Sequence, residues 1–193
     1  LGPLGIAAAS WFLAEYFTGK RRMALPSIVL LLAFVGGVAW TPLSWLVSHG
    51  EAVRDSVDTV TSNGQVQTAI VGVIGAAIAA VTATAAWLHW RRFMVPITVA
   101  AAALAAVGTV ISLLLGVMPS ALSAILPIVL TAGLAVFAFA MWWDLRDTLR
   151  RTRRSDVAFW LHLAAAPMIA HALFNVIGVF EDAMNGWRAL LVL

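Results

Sequence analysis

The segment AFWLHLAAAPMIAHALFN, residues 158 to 175, places a few chemically capable side chains in an otherwise apolar stretch. They are His162, His171 and Asn175, with Pro167 between the two histidines. An imidazole can bind a proton or a metal ion, and an amide can hydrogen-bond a solute or a neighbouring helix. The spacing of these residues decides which of them could act together.

His171 and Asn175 are four residues apart and therefore share one face of a helix. We expect that face to look into a bundle, where it either hydrogen-bonds a neighbouring helix or lines a polar pathway. If the helix begins near Asp156 with Ser155 as its cap, His162 lies near one end and His171 near the middle. At about 100° per residue the two histidines lie on opposite faces, which disfavours a shared metal ion or heme.

Glu15 is the one carboxylate inside a predicted span, at a depth close to that of His162. A contact between Glu15 and His162 would form a charge-paired gate or a proton site. Alternatively, Glu15 simply reaches the membrane edge toward Lys20 or Arg22. His49 and His89 fall at the ends of predicted helices, and we expect both to be solvated.

Composition places these residues in a membrane protein. Hydrophobic residues make up 62% of the chain and charged residues 11%, and the mean hydropathy is +0.95. A typical soluble domain is about 25% charged, so the surface of this one must face hydrocarbon. The chain has no cysteine, which excludes disulfides and thiolate sites.

The hydropathy pattern predicts an all-α, polytopic transmembrane helix bundle with six spans plus the start of a seventh. The six apolar segments are about 4–18, 25–43, 67–88, 94–116, 120–143 and 157–180, and the seventh begins in GWRALLVL. We interpret residues 1–193 as a single transmembrane domain, a fragment of a longer chain because both end segments are short. Small residues such as Gly72, Ala76 and Ala80 predict that the helix at 67–88 packs closely on its successor.

One connection between spans has a helical pattern of its own. At about 46–60, apolar residues recur at spacings of three and four with charged residues between them, which predicts a short amphipathic helix outside the cytoplasm. It would lie on the outer interface. The alternative is a role in gating or in binding a partner.

Basic residues are confined to alternate loops. Ten of the twelve Lys and Arg residues lie in three loops, after the first, third and fifth segments. By the positive-inside rule these loops are cytoplasmic and residue 1 is extracytoplasmic. The third loop, with Arg150, Arg151, Arg153 and Arg154, either serves orientation alone or also contacts anionic lipid headgroups.

The stretches RRTRRSDVAFWLHLAAAPMIAHALF and WFLAEYFTGKRRMALPSIVLLLAFVGG resemble multi-pass inner-membrane proteins of bacteria to which no activity is attached. The resemblance covers about half of the chain. It implies a bacterial inner (plasma) membrane location and assigns no activity, ligand or functional residue.

Three function classes remain open from the sequence. The first is a transporter-like or channel-like component for a small solute or ion, using the face of His171 and Asn175. The second is a non-catalytic scaffold or accessory subunit of a larger membrane complex, and the third a membrane-embedded enzyme or redox subunit. No catalytic motif is present, which favours a non-enzyme, and we expect no metal and no cofactor.

The expected partners follow from the same reasoning. They are anionic lipid at the cytoplasmic side, and further membrane subunits or a second copy of the chain. Nucleic acid is not expected, because basic residues at membrane edges report orientation first.

Overall fold

The computed structural model describes residues 2–149 and 152–177, and every regular element among them is helical. The chain forms two compact units, Leu1–Leu122 and Ser123–Leu193. In chain order the helices are α1 (Pro3–Ala14), continued by a π-helical segment (Glu15–Lys20), α2 (Ala24–Ser48), α3 (Gly50–Val60), α4 (Gly64–Phe93), α5 (Ile97–Val117), a 3₁₀ segment (Pro119–Ala124), α6 (Ile125–Asp144) and α7 (Arg153–Ile177).

Five of the helices described are long and apolar enough to cross a membrane: Ala24–Ser48, Gly64–Phe93, Ile97–Val117, Pro119–Asp144 and Arg153–Ile177. The all-helical membrane class predicted from the sequence is therefore supported, whereas the number of six spans plus a seventh is not confirmed. The first predicted span is a 12-residue α-helix followed by a 6-residue π-helical segment, and a crossing needs about 20 residues. The predicted seventh segment lies outside the described residues.

Within the first unit, α4 and α5 form a hairpin whose backbones approach closely. A Cβ added to Gly72 would lie 2.5 Å from the backbone nitrogen of Gly116 and 2.8 Å from the carbonyl oxygen of Ser112. No side chain fits there, so the two helices meet through glycine on both sides. This confirms the close packing that the small residues of α4 predict.

The packing of α1 on α2 follows the same rule at Gly37. A Cβ at that position would lie 2.7 Å from the carbonyl oxygen of Pro3 and 3.0 Å from the Cβ of Ala7. The neighbouring Gly36 is exposed and has nothing within 4 Å of the same added atom. One glycine of the pair is thus required by packing and the other is not.

Two short turns connect the helices at the basic end of the first unit. Arg22 lies between the π-helical segment and α2 with φ 53°, and Met94 ends α4 with φ 54°. The left-handed conformation costs a residue with a side chain about 1–2 kcal/mol. Both turns therefore contain one residue in an energetically unfavourable backbone conformation.

The amphipathic helix is present, with a later start than the sequence predicts. α2 continues through Pro42 to Ser48, and α3 covers Gly50–Val60 instead of about 46–60. α2 stays helical through Pro42, and in the preceding turn the Thr41 hydroxyl donates to the Gly37 carbonyl at 2.7 Å. The Gln67 amide donates to the Asp58 carboxylate at 2.8 Å, which ties α3 to α4.

In the second unit, α6 packs on α7 through Gly133, where an added Cβ would lie 3.0 Å from the Cβ of Met168. α7 begins at Arg153 rather than near Asp156, and the sequence prediction of Ser155 as the cap is wrong. The Thr152 hydroxyl accepts the Arg154 amide at 3.2 Å and donates to the Asp147 carboxylate at 2.6 Å. This capping arrangement holds the start of α7 in place.

Candidate functional site

Glu15, the first residue of the π-helical segment, forms an ion pair with Arg92 of α4. The guanidinium donates from Nε to Oε1 at 2.9 Å and from Nη2 to Oε2 at 2.5 Å. This two-bond geometry is the strongest form of an arginine–carboxylate contact. The side chains keep 36% (Glu15) and 56% (Arg92) of their surface exposed, so the pair is open on one side.

His89 occupies a different position from the one the sequence suggests. We expected a solvated residue at a helix end, but its relative exposure is 0%. His49, by contrast, is exposed as expected and stacks on Trp45. The prediction fails for His89 because α4 continues to Phe93 and because α1, α2 and α5 cover this part of it.

The side chains around His89 are mostly aromatic. Its ring centroid lies 4.6 Å from that of Phe93, 5.6 Å from that of Phe34 and 5.9 Å from that of Trp11. Trp11 also contacts Phe34 and Phe93, with centroids 5.1 and 5.3 Å apart. We refer to Trp11, Phe34, His89 and Phe93 as the aromatic cluster.

The two ring nitrogens of His89 differ in their surroundings. Nδ1 lies 3.4 Å from the hydroxyl oxygen of Thr98, which is itself fully buried on α5. Nε2 is buried and has no hydrogen-bond partner among the described residues. A buried polar atom without a partner costs about 1–3 kcal/mol, so such atoms are rare in folded proteins.

The ion pair adjoins the aromatic cluster toward the basic end of the unit, and the Arg92 guanidinium carbon lies 5.5 Å from the ring centroid of Phe93. Glu15 follows Trp11 by four residues and Arg92 follows His89 by three, and in both helices this direction leads to the basic turns. Both side chains of the pair are partly exposed, whereas His89 is fully buried. The π-helical segment begins at Glu15, and such segments occur frequently at functional sites.

His171 and Asn175 share a helix face, as their spacing predicts. The Asn175 amide donates to the His171 carbonyl at 3.0 Å and lies 3.4 Å from the His171 ring Nε2. His171 is exposed and Asn175 half-buried. That this face looks into a bundle or lines a pathway stays a prediction.

His162 and Glu15 have separate surroundings. His162 is half-buried and its ring lies edge-on to Phe137 of α6, with centroids 5.1 Å apart. Glu15 lies in the other compact unit, with its carboxylate engaged by Arg92. The contact predicted between Glu15 and His162 stays a prediction, and the charge partner found for Glu15 is an arginine.

Two of the four arginines that the sequence predicts to contact anionic lipid lie among the described residues. Arg153 and Arg154 lie in the first turn of α7 and are exposed, whereas Arg150 and Arg151 lie outside the described residues. Among the described residues no three His, Asp or Glu side chains are grouped so that they could hold a metal ion.

Sequence reasoning missed the aromatic cluster. One local signal was available, because His89 and Phe93 are four residues apart and so share a face of α4. The partners from α1, α2 and α5 depend on tertiary packing. Comparisons with family models, curated proteins and solved structures found no match to the chain.

Proposed function

We propose that the protein is a transporter-like or channel-like component of a bacterial inner membrane that moves a small solute or an ion, with its basic turns on the cytoplasmic side. The observation that carries the proposal is the Glu15–Arg92 pair over the buried His89. His89 and Arg92 lie in a helix long and apolar enough to span a membrane, where ionisable groups are costly and are candidates for a functional site.

The arrangement supports a gate at the cytoplasmic mouth. The pair joins the π-helical segment that follows α1 to α4 by two hydrogen bonds, and both side chains remain partly exposed. Behind it, His89 Nε2 is the polar atom that a passing ion or solute could use. Opening the pair would separate α1 from α4 and expose the aromatic cluster. His171 and Asn175 are the second candidate polar face, on α7.

The test is ion flux in proteoliposomes that contain the full chain. Proton, sodium and potassium gradients are imposed in turn, and flux is compared with that of protein-free vesicles. We expect flux for at least one ion, and a faster leak in Glu15→Gln and Arg92→Gln because the gate loses its charge pair. The double variant Glu15→Arg with Arg92→Glu should restore a slow leak.

Glu51→Gln is the matched control, since this exposed carboxylate on α3 lies outside the candidate site. Flux equal to that of empty vesicles for all three ions, in the parent and in both single variants, would contradict the proposal. So would the same increase in leak in the control variant.

One observation favours a second candidate, an accessory subunit of a larger membrane complex. Between 17% and 33% of the most apolar window of each spanning helix is buried by the chain itself. The rest must be covered by lipid or by other chains. Co-purification of a defined membrane partner at fixed stoichiometry, together with absence of flux, would favour this alternative.

A further inference from the structure

A concentration of positive charge forms one end of the first unit. Lys20, Arg21 and Arg22 lie at the turn before α2, and Arg91 and Arg92 lie at the end of α4. The Glu15–Arg92 ion pair brings the two turns together. Because Glu15 neutralises Arg92 alone, the other four cations keep their charge.

Three of these arginines lie against aromatic rings, and the Arg92 guanidinium carbon is 5.5 Å from the ring centroid of Phe93. The Arg91 guanidinium carbon lies 4.9 Å from the ring centroid of Trp87, and that of Arg21 lies 5.5 Å from that of Tyr16. Arg21 also donates from Nε and Nη2 to the Tyr16 hydroxyl at 3.2 and 3.1 Å. Stacking fixes the orientation of a guanidinium and uses none of its N–H groups.

The N–H groups of the basic side chains on this surface have few hydrogen-bond acceptors among the described residues. Arg91 makes its ring contact with Trp87, and among the described residues it has no carboxylate or carbonyl partner. The side chains of Lys20 and Arg22 likewise have no hydrogen-bond or ion-pair partner among the residues that the structure describes. Arginine presents a planar fork of N–H donors that matches a phosphate group.

Exposed apolar side chains lie close in sequence to these basic residues, in α2 and α4. Leu25 in the first turn of α2 is 75% exposed, and Leu88, next to Trp87 on α4, is 48% exposed. A ligand that suits both parts has an anionic phosphate next to hydrocarbon. Tryptophan and tyrosine also prefer the headgroup level of a membrane.

We propose that this end of the first unit binds the phosphate of an anionic lipid. Arg91, stacked on Trp87, is the principal ligand, and Arg22 and Lys20 of the adjoining turn supply further positive charge. The acyl chains lie along Leu25 and Leu88. None of its residues belongs to the basic loop before α7, and the proposal does not depend on transport.

Thermal unfolding of the purified full chain in a zwitterionic detergent tests the site. Phosphatidylglycerol, phosphatidylcholine and inorganic phosphate are added in separate titrations, and lipid retained on the protein is counted by native mass spectrometry. We expect phosphatidylglycerol to raise the unfolding temperature, and the other two to have little effect. Arg91→Gln and Arg22→Gln should each weaken the response by roughly fivefold in lipid concentration, which corresponds to the ~1 kcal/mol that a basic residue contributes near an anionic surface.

Two further variants keep the test decisive. Arg54→Gln removes an arginine from α3, where its partner is Asp58 at 3.8 Å, and should respond to lipid as the parent does. Arg91→Lys keeps the charge but loses the planar fork, and should respond between the parent and Arg91→Gln. The proposal would be overturned if phosphatidylcholine or inorganic phosphate stabilised the parent as much as phosphatidylglycerol does. It would also be overturned if phosphatidylglycerol stabilised Arg91→Gln as much as the parent, or did not stabilise the parent at all.

Discussion

His89 of α4 and Thr98 of α5 face each other across the turn between their helices, both fully buried, with ring Nδ1 3.4 Å from the hydroxyl oxygen. This contact leaves the other ring nitrogen, Nε2, without a partner among the described residues. A histidine so placed fills space between four helices and also keeps a polar atom inside an apolar cluster. The two roles can be separated by substitution.

Replacing His89 should show how much of its role is packing. His89→Ala leaves a cavity among Trp11, Phe34 and Phe93, and we expect it to lower the free energy of unfolding by about 2–4 kcal/mol. His89→Leu fills most of the volume and removes the unpartnered nitrogen, so its loss should be smaller. Chemical unfolding in detergent measures both. A larger loss in the leucine variant than in the alanine variant would contradict this account.

The Glu15–Arg92 pair should contribute less to the free energy of unfolding than the aromatic cluster does. Because Glu15 and Arg92 remain partly exposed, we expect Glu15→Gln to cost at most about 1 kcal/mol. The charge-swapped double variant should recover most of that loss, since it re-forms the pair with opposite polarity. A double-mutant cycle measures the coupling, and a coupling of zero would show that the pair does not hold α1 to α4.

The neighbouring glycines of α2 provide a matched pair of substitutions. Gly37→Ala would place a Cβ 2.7 Å from the Pro3 carbonyl oxygen, so α1 must move away and the unfolding temperature should fall. Gly36→Ala meets nothing within 4 Å, and alanine is favoured over glycine in a helix by about 1 kcal/mol. Its unfolding temperature should be unchanged or higher. Equal effects of the two substitutions would contradict the described packing of α1 on α2.

The start of α7 should depend on Thr152. Thr152→Val removes the hydroxyl that accepts the Arg154 amide and donates to Asp147, at an expected cost of about 1 kcal/mol. Hydrogen exchange should accelerate at the amides of residues 153–156. Thr148→Val is the control, because Thr148 is an exposed residue of the same loop. Similar exchange in the two variants would contradict the capping role.

The predicted orientation can be tested by cysteine labelling, since the chain has no native cysteine. Ser62→Cys and Thr148→Cys place single thiols at exposed positions in connections on opposite predicted sides. The positive-inside rule predicts that a membrane-impermeant reagent labels the first in intact cells and the second only after permeabilisation. The reverse pattern, or equal labelling of both, would disprove the topology.

Local sequence patterns predicted those features that depend on a single helix. Long apolar runs predicted the helices that are long and apolar enough to span a membrane. The four-residue spacing of His171 and Asn175 predicted that they share a helix face. Helix ends were less predictable because they depend on contacts of residues just outside the apolar run or the helical spacing pattern. α2 runs on through Pro42 with hydroxyl groups bonded to its carbonyls, and α7 starts early because Asp147 and Thr152 form its cap.

The sequence by itself predicted a helical protein with several segments apolar enough for a membrane, because hydrocarbon admits only segments that satisfy their own backbone hydrogen bonds. It also marked Glu15 as an unusual carboxylate. Tertiary structure alone decided that Arg92, 77 residues away, is its partner and that His89 is buried. Composition and spacing report on one helix at a time, whereas an ion pair between the π-helical segment and α4 depends on which helix faces pack together and at what depth.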